Sequence, residues 1–184
     1  VTIKTSIAIF MIMSLNFNVF ADQQSPNSVE SIIDSLQEWG KDPAIVEFVK
    51  QHNKQGLTLL SIKQRDQQWK SANGITQLMK ELMQNKAAKR LIELEKTKPY
   101  FVELFLMGDK GENIAMTNKT TDYWQGDEDK FKYSFNQGKG DVYIGDVAFD
   151  ESAKAYLIQV SVPVLDQEKA IGAITVGLSV DKIQ

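Results

Sequence analysis

The sequence predicts an α+β domain, a helical N-terminal section followed by a five-stranded, mostly antiparallel sheet. Three observations carry this. Apolar residues recur at helical spacing up to about residue 97, and continuous or alternating apolar runs replace that spacing from Tyr100 onward. Short Gly- and Asp-containing turns separate those runs. Helices that precede the strands, rather than alternating with them, fit an α+β layering and not a parallel α/β sheet. No internal repeat and no low-complexity tract interrupts the order.

The elements follow in turn. Val29, Ile32, Ile33 and Leu36 form an i, i+3, i+4, i+7 stripe after Pro26 and Ser28, and Gly40 stops it. Asp42-Pro43 supplies an N-cap and a proline at the first helical position. Ile45, Phe48, Val49 and His52 then share a face until Gly56. Thr58 caps a third helix carrying Leu59, Ile62, Asp66 and Trp69. Beyond Asn73-Gly74 the pattern predicts one long helix from about Ile75 to Thr97, ended by Pro99. Tyr100 to Met107 reads as a buried strand, Gly108-Asp109-Lys110-Gly111 as a hairpin turn, and Glu112 to Met116 as the returning strand. A loop, a short helix from about Asp127 to Asn136 and a strand at Val142 to Val147 come next. Tyr156 to Leu165 and Ala170 to Val180 are two longer strands. Pro163 cannot donate to a ladder and is expected at an edge or bulge.

The N-terminus carries one early charge, Lys4, an apolar stretch from Ser6 to about Phe20, and small residues at Val19 and Ala21. That pattern predicts a secretory signal peptide over residues 1–21, cleaved after Ala21, since Ser14, Asn16 and Asn18 make the stretch too polar and short for a span. The expected organisation is then residues 1–21 as signal, 22–98 as helical section and 99–184 as sheet, the last two forming one domain. Removing residues 1–21 deletes Lys4 alone, so the formal charge moves from -3 to -4. A mildly acidic chain with scattered basic residues has no footprint for nucleic acid. With no cysteine there is neither a disulfide framework nor a thiolate metal site. An exported, cysteine-free chain with a substantial core points to the periplasm. Up to Gln184 the sequence shows no second apolar span and no output domain, so the expectation is a module that signals through a partner.

The candidate site centres on Thr121-Asp122-Tyr123-Trp124-Gln125-Gly126-Asp127-Glu128, two aromatics, an amide and three carboxylates in eight residues. Asp127 and Glu128 suit either a cationic ligand group or the N-terminus of the next helix. Asp122 fits a cap less well because aromatics intervene. Of Tyr123 and Trp124 only one can easily point inward, so the other is exposed or in a pocket. Tyr143, Tyr156 and Gln159 lie on strands, where they either pack in the core or offer a hydroxyl or amide to a ligand. Asp150-Glu151-Ser152 is a turn with its own side-chain bonds or a second acidic wall, Asp150 and Ser152 being its candidate contacts.

These motifs, with Phe105-Leu106-Met107-Gly108-Asp109-Lys110-Gly111, Asn113-Ile114-Ala115, Phe149-Asp150-Glu151-Ser152, Val160-Ser161-Val162-Pro163-Val164 and Ile171-Gly172-Ala173-Ile174-Thr175-Val176-Gly177, resemble the PDC/Cache superfamily. Those are PAS-like extracellular sensor domains of bacterial receptors, and the match covers most of the chain from Tyr100. The resemblance implies a long helix packed across the sheet and a ligand between the sheet and the loops over its other face. It resembles the stand-alone periplasmic members. The family's amino-acid receptors use an arginine-and-aromatic motif; this chain has Arg65 and Arg90 but not that motif, so those roles are not carried over.

No catalytic set emerges. The single histidine, His52, lies on an apolar helix face, and neither a serine elbow nor a cysteine is present. The Asp122–Asp129 acids do not follow the calcium-loop spacing. The expectation is a non-enzymatic, cofactor-free module that binds a small polar metabolite and signals through a membrane receptor or kinase. A structural or interaction domain with a degenerate pocket is the alternative, and a homodimer through the N-terminal helices is open to both.

Overall fold

In a computed structural model, the described residues are 29–151 and 153–183. The expected signal peptide, the segment before Asn27 and the candidate Ser152 lie outside them.

Helix α1 (Val29–Trp39) ends where the Gly40 N–H bonds to Leu36 O at 3.2 Å. The Asp42 carboxylate caps α2 (Pro43–Asn53) by accepting from the Ala44 and Ile45 amides, and Thr58 caps α3 (Leu59–Lys70) through the Ser61 amide. The single helix expected over 75–97 is two, α4 (Gln77–Gln84) and α5 (Lys86–Glu95). Asn85 is the reason. Its backbone leaves the helical region at ψ 176°, its Oδ1 caps α5 by accepting from the Ala88 N–H, and its Nδ2 donates to Ile114 O in the sheet at 2.8 Å. A tertiary bond thus overrides an unbroken apolar pattern.

The strands are β1 (Phe101–Met107), β2 (Asn113–Met116), β3 (Tyr143–Ile144), β4 (Ala148–Asp150), β5 (Ala155–Asp166) and β6 (Lys169–Ser179), with α6 (Asp129–Phe135) between β2 and β3. All pairs are antiparallel, in the order β2-β1-β6-β5-β3, and β4 also pairs with β5. The sheet has six strands, not five, because the strand expected over 142–147 is interrupted. The Gly145 N–H still reaches Gln159 O at 2.8 Å, but Asp146 and Val147 turn out to solvent before β4 rejoins β5. Pro163 sits as expected. The Leu165 amide on the same side of β5 points away from β6, to Gly40 O, and β3 pairing stops at Ser161, so the missing N–H faces no ladder.

Side-chain alternation divides the sheet into two buried faces. Leu104, Leu106, Val160, Val162, Val164, Ile174 and Val176 meet Ile32, Leu36, Ile45, Val49, Leu91 and Leu94 of α1, α2 and α5. Phe105, Met107, Met116 and Ala173 face Ile62 and Trp69 of α3, Met79 of α4, Tyr123 and Phe131. Two covered faces explain why β1 reads as a continuous apolar run.

Candidate functional site

The loop leading to α6 is fastened down by α3 and the β1–β2 hairpin. Asp66, buried at 7% exposure, accepts from the Tyr123 and Trp124 amides with one carboxylate oxygen, both at 3.0 Å, while Lys70 holds the other at 2.8 Å. Trp69 Nε1 donates to Thr120 O, and Trp124 Nε1 donates to Lys110 O at 2.7 Å. The Asn113 N–H bonds to Tyr123 O and the Gln125 N–H to Gly111 O, so the loop runs as an extra extended segment beside the hairpin. The two meet at glycines. A Cβ on Gly111, whose φ is +81°, would sit 2.6 Å from the Gly126 nitrogen, which leaves no room for a side chain.

This frame decides which candidate residues are buried or paired and which border open space. Tyr123 is 1% exposed and packs on Trp69 in the second core; burial raises the pKa of its phenol, with the Arg65 hydrogen bond opposing. Trp124 braces the hairpin under the Lys63 ammonium, 4.5 Å from its ring. Asp122 turns outward to Lys70, and its carbonyl accepts from Asn113 and Gln125. Tyr156 is 55% exposed and packs edge-on against Phe149. Asp122, Tyr123, Trp124 and Tyr156 line none of the hollows described next. The remaining described candidates do line them.

Three adjoining hollows lie between α6, the β3–β4 segment and the open end of the sheet. Their volumes are about 370, 380 and 100 Å³, and Lys130 and Gln159 line all three. Tyr143 borders the two larger ones, Glu128 and Asp150 two each, Asp127 the second, and Gln125 the smallest. Gly177 lies between Glu103 on β1 and Gln159 on β5 in one cross-strand row, and the Leu157 side chain packs over it, 3.0 Å from where a Cβ would stand. One row on, Phe105, Thr175 and Ser161 fill the same face.

Lys130 is the residue that sequence reasoning missed. Its side chain is 11% exposed, with Nζ 2.6 Å from Glu128 Oε2 and 3.2 Å from Gln159 Oε1, over the Phe105 ring. Helix α6 holds it there. Phe131 stacks on Phe135, and the buried Ser134 hydroxyl donates to Lys130 O and accepts from Ser161 Oγ, which also contacts Thr175 Oγ1. Glu128 stands at the N-cap position, but its carboxylate makes no cap bond and turns to Lys130 instead. Glu103, 3% exposed, lines the smallest hollow and was also not singled out. A charged residue two positions into an amphipathic helix, or an acid inside an apolar strand run, was the available signal for each. The Tyr143 ring stacks on Tyr133 at 5.8 Å, and its phenol pKa is raised by burial, then by Asp129, Asp146, Tyr133 and Glu128.

An ammonium, carboxylates, an amide, a phenol and two aromatic faces suit reversible binding of a polar molecule. His52 lines none of the three hollows; it pairs with the buried Glu112 at 2.9 Å and ties α2 to the hairpin. Among the described residues, no group of three or more His, Asp or Glu is arranged to hold a metal ion. Among them too, no helix is long and apolar enough to cross a membrane.

Residues 59–184 match the family described as "Methyl-accepting chemotaxis protein-like, first PDC sensor domain". No curated protein matches significantly. Among solved structures, the sensor domain of the V. cholerae histidine kinase DctB is similar at 12% identity over 84% of this chain and 52% of that one, with a TM-score of 0.43. The sensory domain of the Campylobacter jejuni chemoreceptor Tlp3 is similar at 13% identity over 84% of this chain and 63% of that one, TM-score 0.44. The chain thus spans between half and two thirds of the length of these structures.

Proposed function

The chain belongs to the methyl-accepting chemotaxis protein-like PDC sensor domain family, and on that premise we propose that it is an extracytoplasmic, non-enzymatic sensor module. It binds a small polar molecule in the hollows between α6, β3–β4 and β5 and transmits the liganded state through a membrane receptor or kinase. The observation that carries this is the convergence of Lys130, Glu128, Tyr143, Asp150 and Gln159 on one concave region. The matched span from residue 59 includes every one of them. Gln125 and Asp127 complete the ligand contacts, and Asp122, Tyr123 and Trp124 act as the frame that positions the Gln125–Glu128 rim.

Thermal-shift screening of the purified chain against metabolites tests this reading. A ligand at a hundred times its Kd adds about 2.7 kcal/mol to stability, a rise of roughly 5–11 °C at this chain length. Gln159→Leu should abolish the rise. A library without hits at millimolar concentration, or hits indifferent to Gln159, would remove the pocket from the function.

One observation favours a second reading, an interaction domain. A shallow groove of about 400 Å³ between α2 and α5 is lined by Ala44, Phe48 and Ala87, with Glu47, Gln51, Lys86 and Arg90 also along it. A second copy or a receptor docking there would join the N-terminal helices. Light scattering on wild type and Phe48→Glu separates this from a monomeric sensor.

A further inference from the structure

We propose that the ligand of this site is a small organic cation, an alkylammonium or guanidinium head on a short body; the inference rests on the reading of the hollows as the sensor's binding site. Six carboxylates line them (Glu103, Asp127, Glu128, Asp129, Asp146 and Asp150) against one ammonium, Lys130. That ammonium is already engaged, by Glu128 at 2.6 Å and by the Gln159 amide oxygen at 3.2 Å. An incoming anion would have to displace Glu128 and face the remaining acids. A cation meets unbalanced negative charge, since Asp127 and Asp146 take part in none of the ion pairs among the described residues.

Surface acids alone would be a solvated face, but two features set this arrangement apart. The first is the innermost hollow. Its volume of about 100 Å³ is roughly that of three waters at about 30 Å³ each, and Glu103, Glu128 and Asp150 all border it. Glu103 is 3% exposed, so a cation that enters this hollow meets carboxyl oxygens through protein rather than bulk water, where attraction is several times stronger. The second is aromatic. Tyr143 and Phe149 border the hollow of about 370 Å³, where aromatic rings suit the body or the charged head of an organic cation. The Tyr143 phenol responds to the same field: after burial, Asp129, Asp146 and Glu128 each raise its pKa, so it stays a neutral donor or acceptor. A bare divalent ion fits less well, because no group of three acids among the described residues is arranged to coordinate one.

The experiment is isothermal titration of the full chain with four probes: putrescine and agmatine as cations, succinate as a dianion and L-serine as a zwitterion. At least one cation should bind at one site per chain, and more weakly in 0.2 M than in 0.02 M salt because the site is partly open to screening. Asp150→Asn, which keeps the oxygen that accepts from the Ala153 amide, should weaken the cation by about tenfold. Asp146→Asn, an exposed position that should not disturb folding, should weaken it about threefold. Lys130→Gln should tighten it. If succinate or serine binds, the cations do not and Lys130→Gln abolishes that binding, the cation assignment is overturned and the site stands. If none of the probes binds wild type while circular dichroism shows it folded, both fall.

Discussion

Replacing Asp66 with alanine tests the frame on which the site depends. In the native chain one Asp66 oxygen accepts from two amides at 3.0 Å, those of Tyr123 and Trp124, inside a core that contains Trp69 and Tyr123. Hydrogen bonds to a charged acceptor contribute about 1.5–3 kcal/mol each. The Tyr123 amide is buried and would stay unsatisfied in the variant, whereas the Trp124 amide is part-buried and can recruit water. The expected loss is therefore about 3–4 kcal/mol, or roughly 6–16 °C in Tm at this chain length. Asp66→Asn keeps an oxygen in place without the charge and should lose about half as much. Lys70→Ala removes the half-exposed partner that the other oxygen shares with Asp122 and should cost under about 1 kcal/mol. Urea unfolding followed by tryptophan fluorescence reads all three, since Trp69 and Trp124 adjoin the carboxylate. Were Asp66→Ala to fall within about 0.5 kcal/mol of Lys70→Ala, the carboxylate would not be what holds the loop.

Three further outcomes follow from the packing. Gly111→Ala places a Cβ against the Gly126 backbone at φ +81°, so it should destabilise the chain by about 1–3 kcal/mol, whereas Gly56→Ala, with open space around it, should lose only about 1 kcal/mol; chemical denaturation of the pair measures the difference. Asn85→Ala removes both the α5 cap and the bond to Ile114 O, for about 2 kcal/mol in total, and Asn85→Asp should recover the cap alone, read by the same unfolding curves. Burial raises the Tyr123 pKa, and its partner carboxylates raise that of Lys70, Asp66 first. Above pH 10, near the unfolded phenol value, the folded chain holds more protons than the unfolded one, so stability is level below that and falls as pH rises. Tyr123→Phe should make the decline between pH 10 and 11.5 shallower in denaturation midpoints; an unchanged slope would mean the phenol is not protected.

Sequence reasoning succeeded where structure is local. The Asp42 and Thr58 caps, the Gly40 stop and the hairpin at Gly108–Gly111 rest on contacts within a few residues, and the two long strands are joined by a tight turn between Asp166 and Lys169. It failed where a distant group decides. The helix break at Asn85 depends on a carbonyl 29 residues away, and the burial of Tyr123 depends on a carboxylate 57 residues away. The aromatic–acidic loop was legible as exceptional, but its role was divided in a way composition could not show. The aromatics turn toward α3 and the hairpin, and only its end, from Gln125 to Glu128, reaches the hollows. Lys130 escaped notice because a lysine on a short helix normally points to water.

The hollows lie along a boundary in mechanical strength. On one side are α6, locked to the sheet by the Ser134–Ser161–Thr175 hydroxyl chain, and β5–β6, paired from Leu157 to Lys169. On the other are β3 and β4, with two and three paired residues, separated by the exposed Asp146 and Val147. Short, solvent-exposed ladders of that kind open with little free energy, while a long central pair opens only with the whole domain. A ligand held between Glu128 and Gln159 on the firm side and Asp146 to Asp150 on the soft side would add contacts chiefly to the segment that has few. Its binding energy would then appear as order gained in β3–β4, not as movement of the core. On the proposed sensor function, that asymmetry would let one small molecule change the surface a partner meets without disturbing the two apolar faces of the sheet.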